Sequence, residues 1–143
     1  MIEVDAEAAL LEIGQIIARA AMPTPVFELI GQSEVDNARA RITESKAGPL
    51  GADWDAWADS TRKYRERKGN AGLGLLWDEG DLLDSIHFAV EGPSVAIGSD
   101  LDYARYLQEG TEAMPAREFL GWSPDMLPFY EQLFATYIQT GVA

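Results

Sequence analysis

SIHFAVEGPSVAIGS, residues 85–99, decides the fold. Ile86, Phe88 and Val90 alternate with Ser85, His87 and Ala89, and Val95 and Ile97 resume the alternation after Glu91-Gly92-Pro93. A period of two puts one row of side chains on each face of a strand, and Gly-Pro between two such runs marks a turn. The stretch predicts two antiparallel strands joined by a tight turn.

Outward from this hairpin the period changes to that of a helix. Ala6, Leu10, Ile13, Ile17 and Ala20 recur at helical spacing between about Asp5 and Ala21, with Glu7, Glu12 and Gln15 between them. That pattern predicts an amphipathic helix, and the two prolines of Met22-Pro23-Thr24-Pro25 end it. A second helix is predicted from about Pro25 to Lys46, with Phe27, Ile30, Ala38 and Ile42 on one side, Val35 beside them, and Gly31 a local weakness. The segment AGPLGADW, residues 47–54, reads as a loop. Asp53 is the expected cap of a short helix that starts near Trp54 and runs into the basic stretch at 62–68. Gly69, Gly72 and Gly74 then mark a flexible segment.

Downstream, Asp100 is the expected cap of a short helix over 101–109 that stops at Gly110. An extended piece follows at about Ala116 to Leu120. Ser123, Pro124 and Asp125 read as the cap and first turn of a last helix reaching about Thr140. Its apolar residues Met126, Leu127, Phe129, Tyr130, Leu133, Phe134, Tyr137 and Ile138 occupy more than one stripe, so this helix is either deeply buried or touches two things. The order of elements is α+β: N-terminal helices, a small mainly antiparallel sheet, a short connecting helix and a C-terminal helix packed on the sheet. At 143 residues the chain reads as one domain, with a helical part over about 5–68 and a sheet-containing part over about 80–143.

Charge narrows the function. The chain carries 24 acidic and 11 basic residues, and residues 69–143 hold 12 acidic against 2 basic, a net charge of minus 10. Such a body repels nucleic acid and anionic membrane. Five basic residues, Arg62, Lys63, Arg65, Arg67 and Lys68, crowd into one run. They offer a candidate basic contact face, or a solvated helix face with Glu66 interspersed. The chain has no Cys, which removes thiolate chemistry and disulfides. No apolar run approaches the roughly 20 residues of a membrane span. Glu3, Asp5 and Glu7 are the reverse of a secretory leader, and synthesis in the cytoplasm is the expectation.

Catalytic patterns are thin. His87 is the only histidine, and with Asp84 as a partner it would still need a placed nucleophile, which no G-x-S-x-G motif supplies. Asp78, Glu79, Asp81 and Asp84 are the densest carboxyl cluster; their spacing is not that of a calcium loop, and helix capping explains them. The piece GLGLLWDEG, residues 72–80, lacks the phosphate-cradle spacing. A small carboxylate hydrolase is the weakest functional alternative. No cofactor or metal is expected.

The most distinctive stretch is YARYLQEGTEAMPAREFLG, residues 103–121. Phe119, Leu120 and Trp122 read either as a hydrophobic anchor beside Arg117 at a contact between proteins or as part of the domain's own core. The run Tyr103-Ala104, Gly110, Met114-Pro115-Ala116-Arg117 and Phe119-Leu120-Gly121 resembles the signature of the phage virion morphogenesis family, which includes tail completion proteins of Mu-like and P2-like tailed phages. Gly51, Trp54 and Thr61 with Lys63, then Gly80, Leu82, Ser85 and Ile86, then Val95, Gly98 and Ser99, match further family segments in the same order. Glu118 stands where the family often has Pro, and Tyr106-Leu107 replaces its frequent His.

The resemblance implies a non-enzymatic virion or assembly protein that completes the tail and helps join it to the head at the neck. A tail terminator capping the tail tube is the alternative. It further implies a homo-oligomeric ring, a hexamer by expectation, made in the host cytoplasm and placed in the virion. Its neighbours would be tail-tube, terminator or connector proteins, with DNA passing through without sequence-specific contact. Tyr103, Tyr106, Met114, Pro115, Arg117, Glu118, Phe119, Leu120 and Trp122 are the expected subunit or partner interface.

Overall fold

The structure is a computed structural model that describes residues 6–143. Helix α1 spans Ala6–Ala21 and α2 spans Thr24–Ala40, with Pro25 in its first turn. A π-helical turn, Arg41–Ser45, extends α2 and ends at Lys46 in the left-handed conformation. After a loop come α3, Asp59–Lys68, and the short α4, Asp81–Ser85. The hairpin follows as β1, Ile86–Glu91, and β2, Ser94–Ser99. Then come α5, Ala104–Glu109, a 3-10 turn at Pro124–Met126, and α6, Leu127–Thr140.

The two strands pair as the predicted hairpin. Ile86 faces Ser99, Phe88 faces Ile97, Val90 faces Val95, and the strands run antiparallel. The inward row of β1 is Ile86, Phe88 and Val90, as the alternation requires, while His87, Ala89 and Glu91 are exposed. Helix α2 lies against both strands, and Gly31 is the reason it lies so close. A Cβ there would sit 2.6 Å from Phe88 Cγ and 2.9 Å from Cε2. The glycine expected only to weaken the helix is the seat for the Phe88 ring; the packing gained against the sheet offsets its propensity cost of about 1 kcal/mol.

Apart from Ala47, the buried apolar residues described fall into two clusters joined by α2. The larger holds Val35, Ala38, Ile42, Trp54, Leu76, Leu82, Ile86, Ala104 and Phe119. The smaller is Val26, Ile30 and Tyr130, with Val95, Leu133, Phe134 and Tyr137 packed on it. Helix α6 thus covers one end of α2 and reaches the sheet at Val95.

Several local expectations give way. Helix α3 starts at Asp59, not near Trp54, and Asp53 does not cap it: Ala58 holds the cap position without a side-chain bond. Asp53 instead pairs across the loop with Ala47 as an isolated bridge. Asp100 does not cap α5 either, since Tyr103 holds that position, and the Leu101 amide donates to Ser99 Oγ at 3.2 Å. Ser123 makes no side-chain cap at the last helix, because its hydroxyl accepts from Arg41. At Ser123 a bond from a group distant in sequence takes the hydroxyl that a sequence window assigns to the local cap.

Candidate functional site

The segment 114–121 is built around Gln108. From the last turn of α5, Gln108 Oε1 accepts the amides of Phe119 and Leu120, each at 3.0 Å, while Nε2 donates to the Leu120 carbonyl at 2.9 Å. The Arg117 amide donates to the Leu107 carbonyl at 2.7 Å. Trp54 Nε1 donates to the Glu118 carbonyl at 3.1 Å, and Arg41 Nη1 to the Phe119 carbonyl at 3.0 Å. The expected extended piece is therefore not a third strand. Its polar backbone is satisfied by side chains and one amide contact, which meets the requirement for buried peptide groups without a ladder.

Gly110 makes the approach to this segment feasible. Its φ is +75°, and a Cβ would stand 2.7 Å from the Ala116 amide nitrogen and 3.0 Å from the Met114 carbonyl. A side chain is excluded on both counts. Thr111 and Met114 then close the turn, with the Thr111 amide donating to the Met114 carbonyl at 2.8 Å.

Of the expected interface residues, the structure takes two inside the subunit. Phe119 is 0% exposed and sits in the larger core cluster. Arg117 is buried, donating from Nε to the Asp55 carbonyl at 2.9 Å and from Nη2 to the Ala56 carbonyl at 3.0 Å, so it straps down the loop before α3. Burial holds its guanidinium below the ordinary arginine value. Met114 and Leu120 are half-buried, and Tyr103, Tyr106, Pro115, Glu118 and Trp122 are exposed. Sequence proximity thus mixed two groups that the turn separates.

The other motif positions also serve the fold. Trp54, Leu82, Ile86 and Ala104 line the core with Phe119. Ser85 Oγ lies 2.7 Å from Ser99 Oγ and donates to the Leu82 carbonyl, tying the start of β1 to the end of β2. Gly98 faces exposed His87 across the hairpin, Gly80 precedes α4 in a left-handed conformation, and Gly51 and Gly121 also have positive φ. Thr61 and Lys63 are exposed on α3, and Ala116 is exposed beyond the turn.

The basic run is largely spent within the chain. Arg65 is buried, lies 4.8 Å over the Trp57 ring, and bonds Asp78 and the Gly74 and Trp77 carbonyls. Lys68 pairs with Asp78 at 3.0 Å and Glu79 at 2.6 Å, and these bonds hold its pKa above the ordinary lysine value. Arg62 pairs with Asp59 and Glu66. Lys63 and Arg67 are left exposed on α3. The carboxyl cluster is divided in the same way: Asp78 and Glu79 face these cations, whereas Asp81 and Asp84 lie on α4. For Asp78, partial burial acts upward, but bonds from Lys68 and Asn70 and the charge of Arg65 outweigh it and leave the pKa lowered.

The pairing of His87 with Asp84 does not form. His87 Nδ1 lies 2.9 Å from the Ser85 carbonyl, and Nε2 is 3.7 Å from Asp100. His87 and Asp100 are both exposed. Among the described residues no group of three His, Asp or Glu is placed to hold a metal, and no helix is long and apolar enough to cross a membrane.

The residues that sequence reasoning missed are Glu34 and Arg41. Both are buried on α2 and its π-helical extension, 3.8 Å apart. Tyr130 of α6 donates to Glu34 Oε1, and Asn37 Nδ2 does so at 3.3 Å. Arg41 reaches the Phe119 carbonyl and the Ser123 hydroxyl. Burial pushes the Tyr130 phenol up, with the Glu34 bond adding to it, to about 12. This network joins α2, the 119–123 segment and α6 between the two apolar clusters. Its sequence signal was available: Glu34, Ala38 and Arg41 follow helical spacing, so two charged groups share an apolar face.

The architecture is that of a small α+β protein whose most distinctive residues bind its own backbone and whose apolar side chains extend onto the surface. A family model described as the phage virion morphogenesis family matches residues 4–138, nearly the whole chain. The chain belongs to the phage virion morphogenesis family. Its role is accordingly structural or in assembly of the phage particle. No curated protein and no solved structure matches the chain.

Proposed function

We propose that this protein completes the phage tail and helps its head-proximal end join the head at the neck, acting without catalysis as a ring of identical subunits with six as the expected number. The observation that carries this reading is the family match over residues 4–138. The surface supports it. Tyr103, Tyr106 and Trp122 are exposed around the motif segment, and aromatic side chains of this kind are enriched where proteins meet. The acidic second half would line a passage that repels DNA without gripping it, as a conduit requires. Lys63 and Arg67, exposed on α3, are the remaining basic contacts for an acidic neighbour in the neck.

The test is a phage lacking this gene. Filled heads and separate, full-length tails that fail to join are the expected products, together with mass-spectrometric detection of the protein in wild-type virions. Tails of uncontrolled length would assign the terminator role instead, and joined, infectious particles would overturn the proposal.

A further inference from the structure

Helix α1 is an anomaly of packing. Its stripe Leu10, Ile13 and Ile17 is 69%, 52% and 63% exposed, and Leu11 beside it is exposed as well. The helix is tied down at its end, where Arg19 donates from Nε to the Ile138 carbonyl at 2.8 Å and from Nη2 to the Gln139 carbonyl at 3.2 Å. A cation on the last carbonyls of α6 is a favourable anchor, but it leaves the stripe uncovered. Gly14 lies on the same side, four residues after Leu10 and three before Ile17, and a Cβ there would touch nothing. A mid-helix glycine costs stability relative to alanine, and among the described residues nothing lies within 4 Å of the space it opens.

A matching deficit lies elsewhere on the chain. An apolar groove of about 460 Å³ runs between α2, β2 and α6, lined by Phe27, Ile30, Val95, Trp122, Leu127, Tyr130, Glu131 and Phe134. Along α6 its wall residues Leu127, Tyr130 or Glu131, and Phe134 follow the same steps of three or four and then seven as Leu10, Ile13 or Gly14, and Ile17. Each row covers about 10 Å of helix, so the ridge of one fits the furrow of the other.

We propose that α1 of one copy of this chain docks its Leu10–Ile13–Ile17 stripe into the α2/β2/α6 groove of a second copy, a head-to-tail contact that leaves each subunit with one helix to give and one groove to fill. Three observations select a second copy as the occupant. The two surfaces are equal in length and period and lie on the same chain. Both carry little charge: between Leu10 and Ile17 helix α1 has Glu12 alone, and the groove lining has Glu131 alone, at its rim. On a chain of net charge minus 13, most other self-contacts meet repulsion. The area is adequate too. Leu10, Leu11, Ile13 and Ile17 with Trp122, Leu127 and neighbouring Phe129 offer on the order of 600 Å² of apolar surface at roughly 60–120 Å² per side chain. That is about a third to a half of the roughly 1,200–2,000 Å² of a specific interface, with flanking surface to supply the rest. A contact between two different faces propagates to a ring or a filament. The inference deepens the ring reading above and rests on it for self-association alone.

The absence of native cysteine makes the test clean. The full chain is prepared as Ile13→Cys, as Glu131→Cys and as both together, then oxidised and separated without reductant. A ladder of covalent oligomers from the double variant, with neither single variant linking, is the expected result. A dimer from Ile13→Cys alone would show α1 pairing with α1 and overturn the inference, as would a double variant that stays monomeric or links only within one chain. Ile17→Glu, at an exposed position, is expected to abolish self-association while leaving the helical circular dichroism and the melting midpoint of the subunit unchanged. Wild-type oligomers that persist without any ladder reject the helix exchange and leave the ring intact; a wild-type chain that is monomeric by chemical crosslinking rejects both.

Discussion

The segment 103–121 and helix α1 exchange the roles their sequences advertise. The first holds the aromatics and the motif that resemble a contact between proteins, yet its centre, Arg117 and Phe119, is buried in the subunit and held by Gln108, Trp54 and Arg41. The second shows the even apolar period of an ordinary core helix, yet its stripe faces solvent. A distinctive motif can mark a backbone that is difficult to satisfy, whereas a regular stripe records only that something covers the helix. Which molecule provides that cover is not encoded in the period.

The contrast breaks most visibly at Phe119. Phe119→Ala should destabilise the subunit by about 3–5 kcal/mol, as large-to-small changes at closed core sites do, and chemical denaturation would register it. If the loss is under about 1 kcal/mol, the segment is not the structural clamp described. Gln108→Ala comes next. It strips the bond partners from two amides and a carbonyl, and a cost of about 1–3 kcal/mol is expected, with increased amide hydrogen exchange at Phe119 and Leu120 as the local signature.

Tyr130→Phe sharpens the comparison through pH. The folded phenol sits at about 12 against an ordinary 10. The folded state therefore holds the proton more tightly, and this contribution is complete below pH 10 and lost as pH rises through 12. Wild-type protein should lose stability over that window, and an ultraviolet titration should show one tyrosine ionising late. In Tyr130→Phe the late tyrosine should vanish and the alkaline loss should shrink, with a neutral-pH cost of about 1.5–3 kcal/mol from the broken bond to the buried Glu34 carboxylate.

The smallest effect on the subunit is expected at α1. Ile17→Ser should change the stability of the isolated subunit by about 0.5 kcal/mol or less, since exposed positions rarely contribute more, with sedimentation showing weakened self-association. A large fall in subunit stability would mean that α1 packs internally and that the contrast between the two regions is false.

Much of this was legible. The hairpin and the faces of its first strand followed from alternation, because a period of two leaves one assignment of faces once one face is buried. The two long helices and the last one followed from period and proline placement. The caps were not legible: Asp53 and Asp100 had suitable chemistry, but Ala58 and Tyr103 hold the cap positions, and the Ser123 hydroxyl is taken by distant Arg41. The candidate site was legible in part. Trp122, Tyr103 and Tyr106 remain on the surface, while the basic run resolves partly into helix-spaced pairs of Arg62 with Asp59 and Glu66 and partly into pairs with Asp78 and Glu79 that no spacing rule announces.

By itself the sequence determined the class of the fold, the hairpin, the family signature and the acidic second half, because periodicity, turn chemistry and charge are properties of neighbours along the chain. Only the tertiary structure decided that Gly31 seats Phe88, that Glu34 and Arg41 share a buried network with Tyr130, that Gln108 replaces a strand as the partner of residues 119–120, and that α1 and the groove beside α6 both stand open. Those outcomes depend on which distant groups arrive at the same place, and burial then makes each unpaired polar atom or crowded methyl count.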